Sequence, residues 1–200
     1  MSPAVPEIAE DLRDGGRVTL AGSGDMVRCT NEGELMSVED DIAMVAEQEK
    51  RLVFGRFDEA TALKLGNDIR ALAEAAGAAL VIDIRFWDRP LYYYAMPGTA
   101  PANADWVRRK SNCVKRFGKA SYALTLSQQR SGSGFAPDDN VDPAEIAAHG
   151  GAFPIRIEGV SVVGTVTVSG VPGRLDHGFV VKAICNHLGI ACGPLTLPPE

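Results

Sequence analysis

Between residues 58 and 77 apolar side chains return every three or four positions. Ala62, Leu65, Ile69, Leu72, Ala73 and Ala76 fall on one stripe, the rhythm of a helix with one buried face. Asp58 stands where an N-cap belongs, and Gly77 where the helix must stop. A similar rhythm starts at Met36: Ile42, Val45 and Ala46 form the stripe, and Ser37 with Asp40 has the spacing of a capping box. The spacing then changes. "ALVIDIRF" (79–86) and "PLYYYAM" (90–96) read as the two strands of a hairpin, with its turn at Asp88-Arg89. A helix is predicted from Pro101 through "NADWVRRKSNCVKRF", and the glycine-rich stretch "QQRSGSGFAPDDN" reads as a mobile loop. Asp142 and Pro143 have the cap-and-first-position order that opens a short helix, which would end at His149. "FPIRIEGVSVVGTVTVSG" predicts a second hairpin turning near Glu158-Gly159, and a last helix runs from about Asp176 to Leu188. Short connections between paired strands predict a largely antiparallel sheet with helices packed on it.

Residues 1–35 break this order. They mix Gly, Pro, Asp and Glu around one strand-like run, "RVTLAG", and the Gly22-Ser23-Gly24 step reads as a turn. They read as an extension, either disordered or the product of an early start site, and residues 36–200 as a single domain.

Charge narrows the partners. A formal net charge of -6 repels a phosphate backbone, so nucleic acid is excluded as the expected partner. No apolar run reaches the roughly 18 residues needed to cross a bilayer, and "MSPAVPEIAEDLRDGG" lacks an export signal. Cys29, Cys113, Cys185 and Cys192 form no C-x-x-C pair, so they are expected to be reduced thiols in a cytoplasmic protein.

Two clusters carry candidate chemistry. On the helix after Pro101, Asn103, Trp106, Lys110, Cys113, Val114 and Phe117 share a face, while Arg108, Arg109, Lys115 and Arg116 read as its solvated side. An amide and an ammonium on an apolar stripe need partners, and an anionic group such as a carboxylate would supply one. In the second cluster Ser169 and Gly170 close a strand, and Asp176 and His177 open the last helix. Peptide N–H groups there favour anions and would lower the His177 pKa, making a neutral ring that ligates a metal. His149 is expected at a helix C-terminus, where the macrodipole would raise its pKa, with Gly150 left-handed to close the helix and Gly151 turning the chain into the next strand. His187 reads as a dipole partner at the end of the last helix. No G-x-S-x-G elbow surrounds Ser169, and neither a P-loop nor a G-x-G-x-x-G follows a strand.

"HGGAFPIRIEGVSVVGTVTVSGVPGRLDHGFVVKAI", with "QEKRLVFGRFDEATALKLGNDI" and "NADWVRRKSNCVKRF" upstream, strongly resembles the haem-degrading domain family (GlcG/HbpS-like), in its uncharacterised-protein-family branch. The resemblance covers roughly residues 38–188. It implies an α/β (α+β) fold that is profilin-like: a mostly antiparallel five-stranded sheet with helices on both faces. It also implies a homodimer or higher homo-oligomer, and haem as a conceivable cofactor. Asn103, Trp106 and Lys110 match the family's N-x-x-W-x-x-x-K pattern. Together these readings make a small-molecule site of Asn103, Trp106, Lys110, His149, Gly150, Gly151, Ser169, Gly170, Asp176 and His177, with His149 and His177 as metal ligands. The ligand would be haem, another tetrapyrrole or a carboxylated metabolite. The alternatives are a non-catalytic oligomeric scaffold, or an enzyme on a small carboxylated metabolite with Lys110 or His149 in acid–base work.

Overall fold

A computed structural model of the chain describes residues 37–197. The expectations placed on residues 1–35, Cys29 included, lie outside these residues. Helix α1 (Val38–Arg51) starts at the predicted capping box: Ser37 Oγ accepts the Asp40 N–H, and Asp40 in turn accepts the Ser37 N–H at 3.0 Å. Its inward side differs from the expectation. Ala46 is exposed, while Gln48 and Asp41 are buried because each finds a partner, Leu195 O for Gln48 and Arg174 for Asp41. Helix α2 (Glu59–Ala75) is capped by Asp58, whose carboxylate accepts the Thr61 N–H at 2.8 Å, and it buries Ala62, Leu65, Ile69 and Ala73.

Strands β1 (Val81–Phe86) and β2 (Arg89–Ala95) form the first hairpin, turning at Trp87-Asp88, one residue earlier than predicted. Trp87 takes the positive φ, 43°, that this tight reversal requires. Helix α3 (Pro101–Phe117) follows as expected. Helix α4 (Ser121–Ser131), which no strong apolar stripe announced, packs against α1. Strands β3 (Ala152–Arg156) and β4 (Val162–Ser169) make the second hairpin, and helix α5 (Gly173–Leu188) closes the chain.

The sheet is antiparallel throughout, in the order β2-β1-β4-β3. Among the described residues it has four strands, not five. The nearest thing to a fifth is Phe54, which makes a single parallel bridge to Ile157 beyond β3. Strand alternation divides the sheet into two unlike faces. Leu80, Ile82, Ile84, Val166, Val168, Phe153 and Ile155 join α2 and α5 in the main apolar core. The opposite face lies under α3 and is polar: Asp83, Thr165, Thr167 and Ser169 are all buried there, Asp83 held by Arg85 at 2.6 and 2.5 Å. Among the described residues no helix is long and apolar enough to cross a membrane.

Candidate functional site

The polar face of the sheet positions the site. Lys110 projects from α3 over the end of β4 and is 3% exposed. Its ammonium donates to Asp176 Oδ2 at 2.7 Å and to the Val168 carbonyl at 3.2 Å. Asp176 lies on the first turn of α5, which begins at Gly173, three residues earlier than expected. It is therefore not an N-cap. Its carboxylate reaches back instead, accepting the Val171 N–H at 3.2 Å. Desolvation lifts the Asp176 carboxyl to about 6 against the pull of Lys110, and the same burial lowers the Lys110 pKa against the pull of Asp176.

Above this pair opens a hollow of about 240 Å³, lined by Asn103, Trp106, Lys110, His149, Ser169, Gly170, Val171, Gly173 and Asp176. Seven residues predicted for the site meet here from four separate segments. Several of their polar groups have no protein partner among the described residues. Lys110 uses two of three donors, and Asn103 commits its carbonyl to the Ala100 N–H at 2.8 Å but leaves its NH₂ unused. The Ser169 hydroxyl and both ring nitrogens of His149 make no hydrogen bond.

His149 departs from its expected setting. The predicted short helix is a single turn at residues 143–145, so no macrodipole reaches the ring. Its pKa is lowered rather than raised, by burial first and then by the charges of Lys110 and Arg109. The neutral ring meets Trp106 edge-on, centroids 4.8 Å apart. Arg109, expected in solvent, stacks over the other part of this arrangement, 4.6 Å from the Trp106 ring centre, and donates to the Pro143 carbonyl at 2.7 Å. The i, i+3 spacing of Trp106 and Arg109 was the signal for it. His149 and Arg109 also line a second hollow, about 500 Å³, beneath the segment around Phe135. That segment falls within the predicted mobile loop, where Phe135 stacks on Phe117 at 5.4 Å.

The glycines serve the fold more than a ligand. Gly150 is not left-handed; Gly151 is, at φ 121°. A Cβ on Gly150 would stand 2.1 Å from the Gly173 carbonyl oxygen, and one on Gly151 would reach 2.5 Å from the Val168 carbonyl oxygen and 2.9 Å from Lys110 Nζ. A Cβ on Gly170 would meet the Ala79 carbonyl oxygen at 2.0 Å. Gly150 and Gly151 thus close the wall behind Lys110 without lining the hollow.

His177 does not join the site. It lies with the apolar core, fully buried near Tyr122 and Phe153, and its Nε2 is 2.7 Å from Gln48 Oε1. Its pKa is indeed lowered, to about 3, but burial is the first cause and Arg174 the second. His149 and His177 line different hollows, and no group of three or more His, Cys, Asp or Glu among the described residues is placed to hold a metal ion. His187 packs on Phe54, its Nδ1 buried without a partner and its pKa lowered by burial, which is not the behaviour of a dipole-stabilised imidazolium.

Fold and site define an α+β domain with a small polar hollow where the ends of β4 and α5 meet α3. Residues 57–185 match the family model described as haem degrading protein HbpS-like, and the chain belongs to that family. A UPF0303 protein of Mesorhizobium japonicum is 47% identical over 165 residues, covering 82% of this chain and 99% of that protein. The crystal structure of Ybr137w protein superposes with a TM-score of 0.66 at 25% identity, over 74% of this chain and 87% of that one. The PduOC:heme complex shares the fold, with a TM-score of 0.55 at 16% identity over 66% and 94% of the two chains.

Proposed function

We propose that the hollow beneath α3 binds a small molecule through a carboxylate, and that a tetrapyrrole such as haem is the ligand to test first. One observation carries the reading: the Lys110 ammonium, the Asn103 amide and the Ser169 hydroxyl turn unused donors toward a single hollow, where unpaired donors are costly unless an anion or water completes them. A volume of about 240 Å³ holds a carboxylate and a short carbon skeleton, not a whole macrocycle. The larger hollow, which His149 also lines, supplies further room. His149, neutral and without a hydrogen bond among the described residues, suits an iron ligand, and Lys110, Asn103 and Ser169 suit a propionate. The family's description and the haem complex of a fold relative support the choice of haem.

The test is a haem titration of the purified protein, read by the Soret band. A saturable red shift is expected, with His149→Ala losing the shift and Ser169→Ala weakening binding several-fold. No shift in the native protein removes haem from the reading. Chemical-shift mapping with short mono- and dicarboxylates then tests the carboxylate site itself, and no perturbation around Lys110 and Ser169 would end that as well.

A further inference from the structure

Lys110 and its neighbour Arg109 bring two cations to one end of the molecule, and their charges are spent differently. The Lys110 ammonium is matched at 2.7 Å by Asp176, with both side chains almost fully buried, so the pair presents little net charge. Arg109 has no such match. Its nearest carboxylate among the described residues is Asp105, 3.9 Å away, half-exposed and already held by Arg108 at 3.0 Å. The guanidinium is nevertheless fixed in place, since it stacks on Trp106 and its Nη2 donates to the Pro143 carbonyl at 2.7 Å. The Arg109 side chain stays 22% exposed, and Nη1 makes no hydrogen bond among the described residues.

Arg109 lines the hollow of about 500 Å³ under Phe135. Two amides line it as well, Gln128 on α4 and Asn140 in the loop that follows, and neither side chain makes a hydrogen bond among the described residues. No Asp or Glu among the described residues lines this hollow. A fixed guanidinium with two free amides is a donor set that grips a carboxylate.

His149 connects this hollow with the one over Lys110, because it lines both. After burial, the charges of Lys110 and Arg109 together hold its pKa down, which puts both cations near the ring.

From this arrangement we infer that the ligand is a small dicarboxylate. One carboxylate sits on the Lys110, Asn103 and Ser169 donors, and the other on Arg109 with Gln128 and Asn140. Arg109 supplies the uncompensated charge that selects the second anion. This second subsite depends on the carboxylate site proposed above, not on the choice of haem.

Chemical-shift titration of the full chain compares linear dicarboxylates of four to eight carbons with monocarboxylates of the same length. One dicarboxylate is expected to bind at least about tenfold more tightly than its matched monocarboxylate, because its second group then binds intramolecularly. Arg109→Gln should abolish that advantage and leave the monocarboxylate within about twofold. Gln128→Glu puts a negative charge in the hollow without removing a hydrogen bond of the described residues. It should weaken the dicarboxylate at least about fivefold and spare the monocarboxylate, with unchanged circular dichroism. Equal affinity for the two acids at every length, or an advantage that survives both variants, would overturn the second subsite while leaving the carboxylate site standing. Binding of neither acid would overturn the carboxylate site as well.

Discussion

Replacing Lys110 by Met tests the electrostatics of the site most directly. Methionine keeps the length and much of the apolar stem but removes the charge, leaving Asp176 1% exposed with only backbone N–H donors for company. Breaking a buried pair by deleting one partner costs about 3–5 kcal/mol, because an uncompensated charge stays behind. At about 2–4 °C per kcal/mol for a domain of this size, the melting temperature should fall by roughly 6–20 °C. The sign of the pH dependence separates this cause from lost packing. With Lys110 gone, the Asp176 carboxyl moves further above its present value of about 6 and stays above the unfolded 3.8. The folded variant then holds a proton that the unfolded chain releases, so its stability is greatest at low pH and is lost as pH rises through the folded pKa. Urea unfolding of both proteins at pH 7 and pH 5 reads this out: the penalty should be large at pH 7 and smaller at pH 5. Adding Asp176→Asn should recover part of the loss at pH 7. A penalty below 1 kcal/mol, or one that grows toward pH 5, would refute the reasoning.

Other outcomes follow from the same geometry. His177 has a folded pKa of about 3 against 6.5 unfolded, so its contribution is complete above pH 6.5 and is lost as pH falls; between pH 6.5 and 4.5 this amounts to up to about 2–3 kcal/mol. His177→Phe should flatten that part of the stability–pH curve measured by urea unfolding, and an unchanged slope would contradict it. Gly150→Ala places its new carbon 2.1 Å from a backbone oxygen and should cost several kcal/mol, whereas Gly178→Ala should be neutral or stabilise by up to about 1 kcal/mol; thermal melts compare the two. Asp58→Ala removes the cap of α2 and should cost about 1 kcal/mol by the same measurement.

Helices with caps and stripes were legible in the sequence because the rules that make them are local. Ser37-Asp40, Asp58, Gly77 and Pro101 each act within a few residues, and the structure has them as read. Helix α4 was not legible, since its inward residues Tyr122 and Leu126 are isolated among polar neighbours and depend on α1 for burial. The candidate site divides along the same line. Asn103 and Lys110 were visible as misfit polar groups on the helix face of Trp106, and the hollow gathers all three with Ser169 and Asp176. His177 was misplaced because neighbours in sequence on a helix point about 100° apart: Asp176 turns to α3, and His177 to the opposite side and Gln48. The electrostatic setting of His149 was missed for a nonlocal reason, the Lys110 and Arg109 charges brought to it by α3.

The strand order has a consequence for when the hollow comes into existence. Val81 pairs with Ser169, and Lys110 meets its carboxylate 66 residues further along the chain, so neither hairpin alone can build any of it. Closing such long loops is slow relative to forming the local turns. The hollow therefore arrives only with the last long-range pairing, and a nascent chain still short of α5 carries the donors of α3 with nothing to hold them in place.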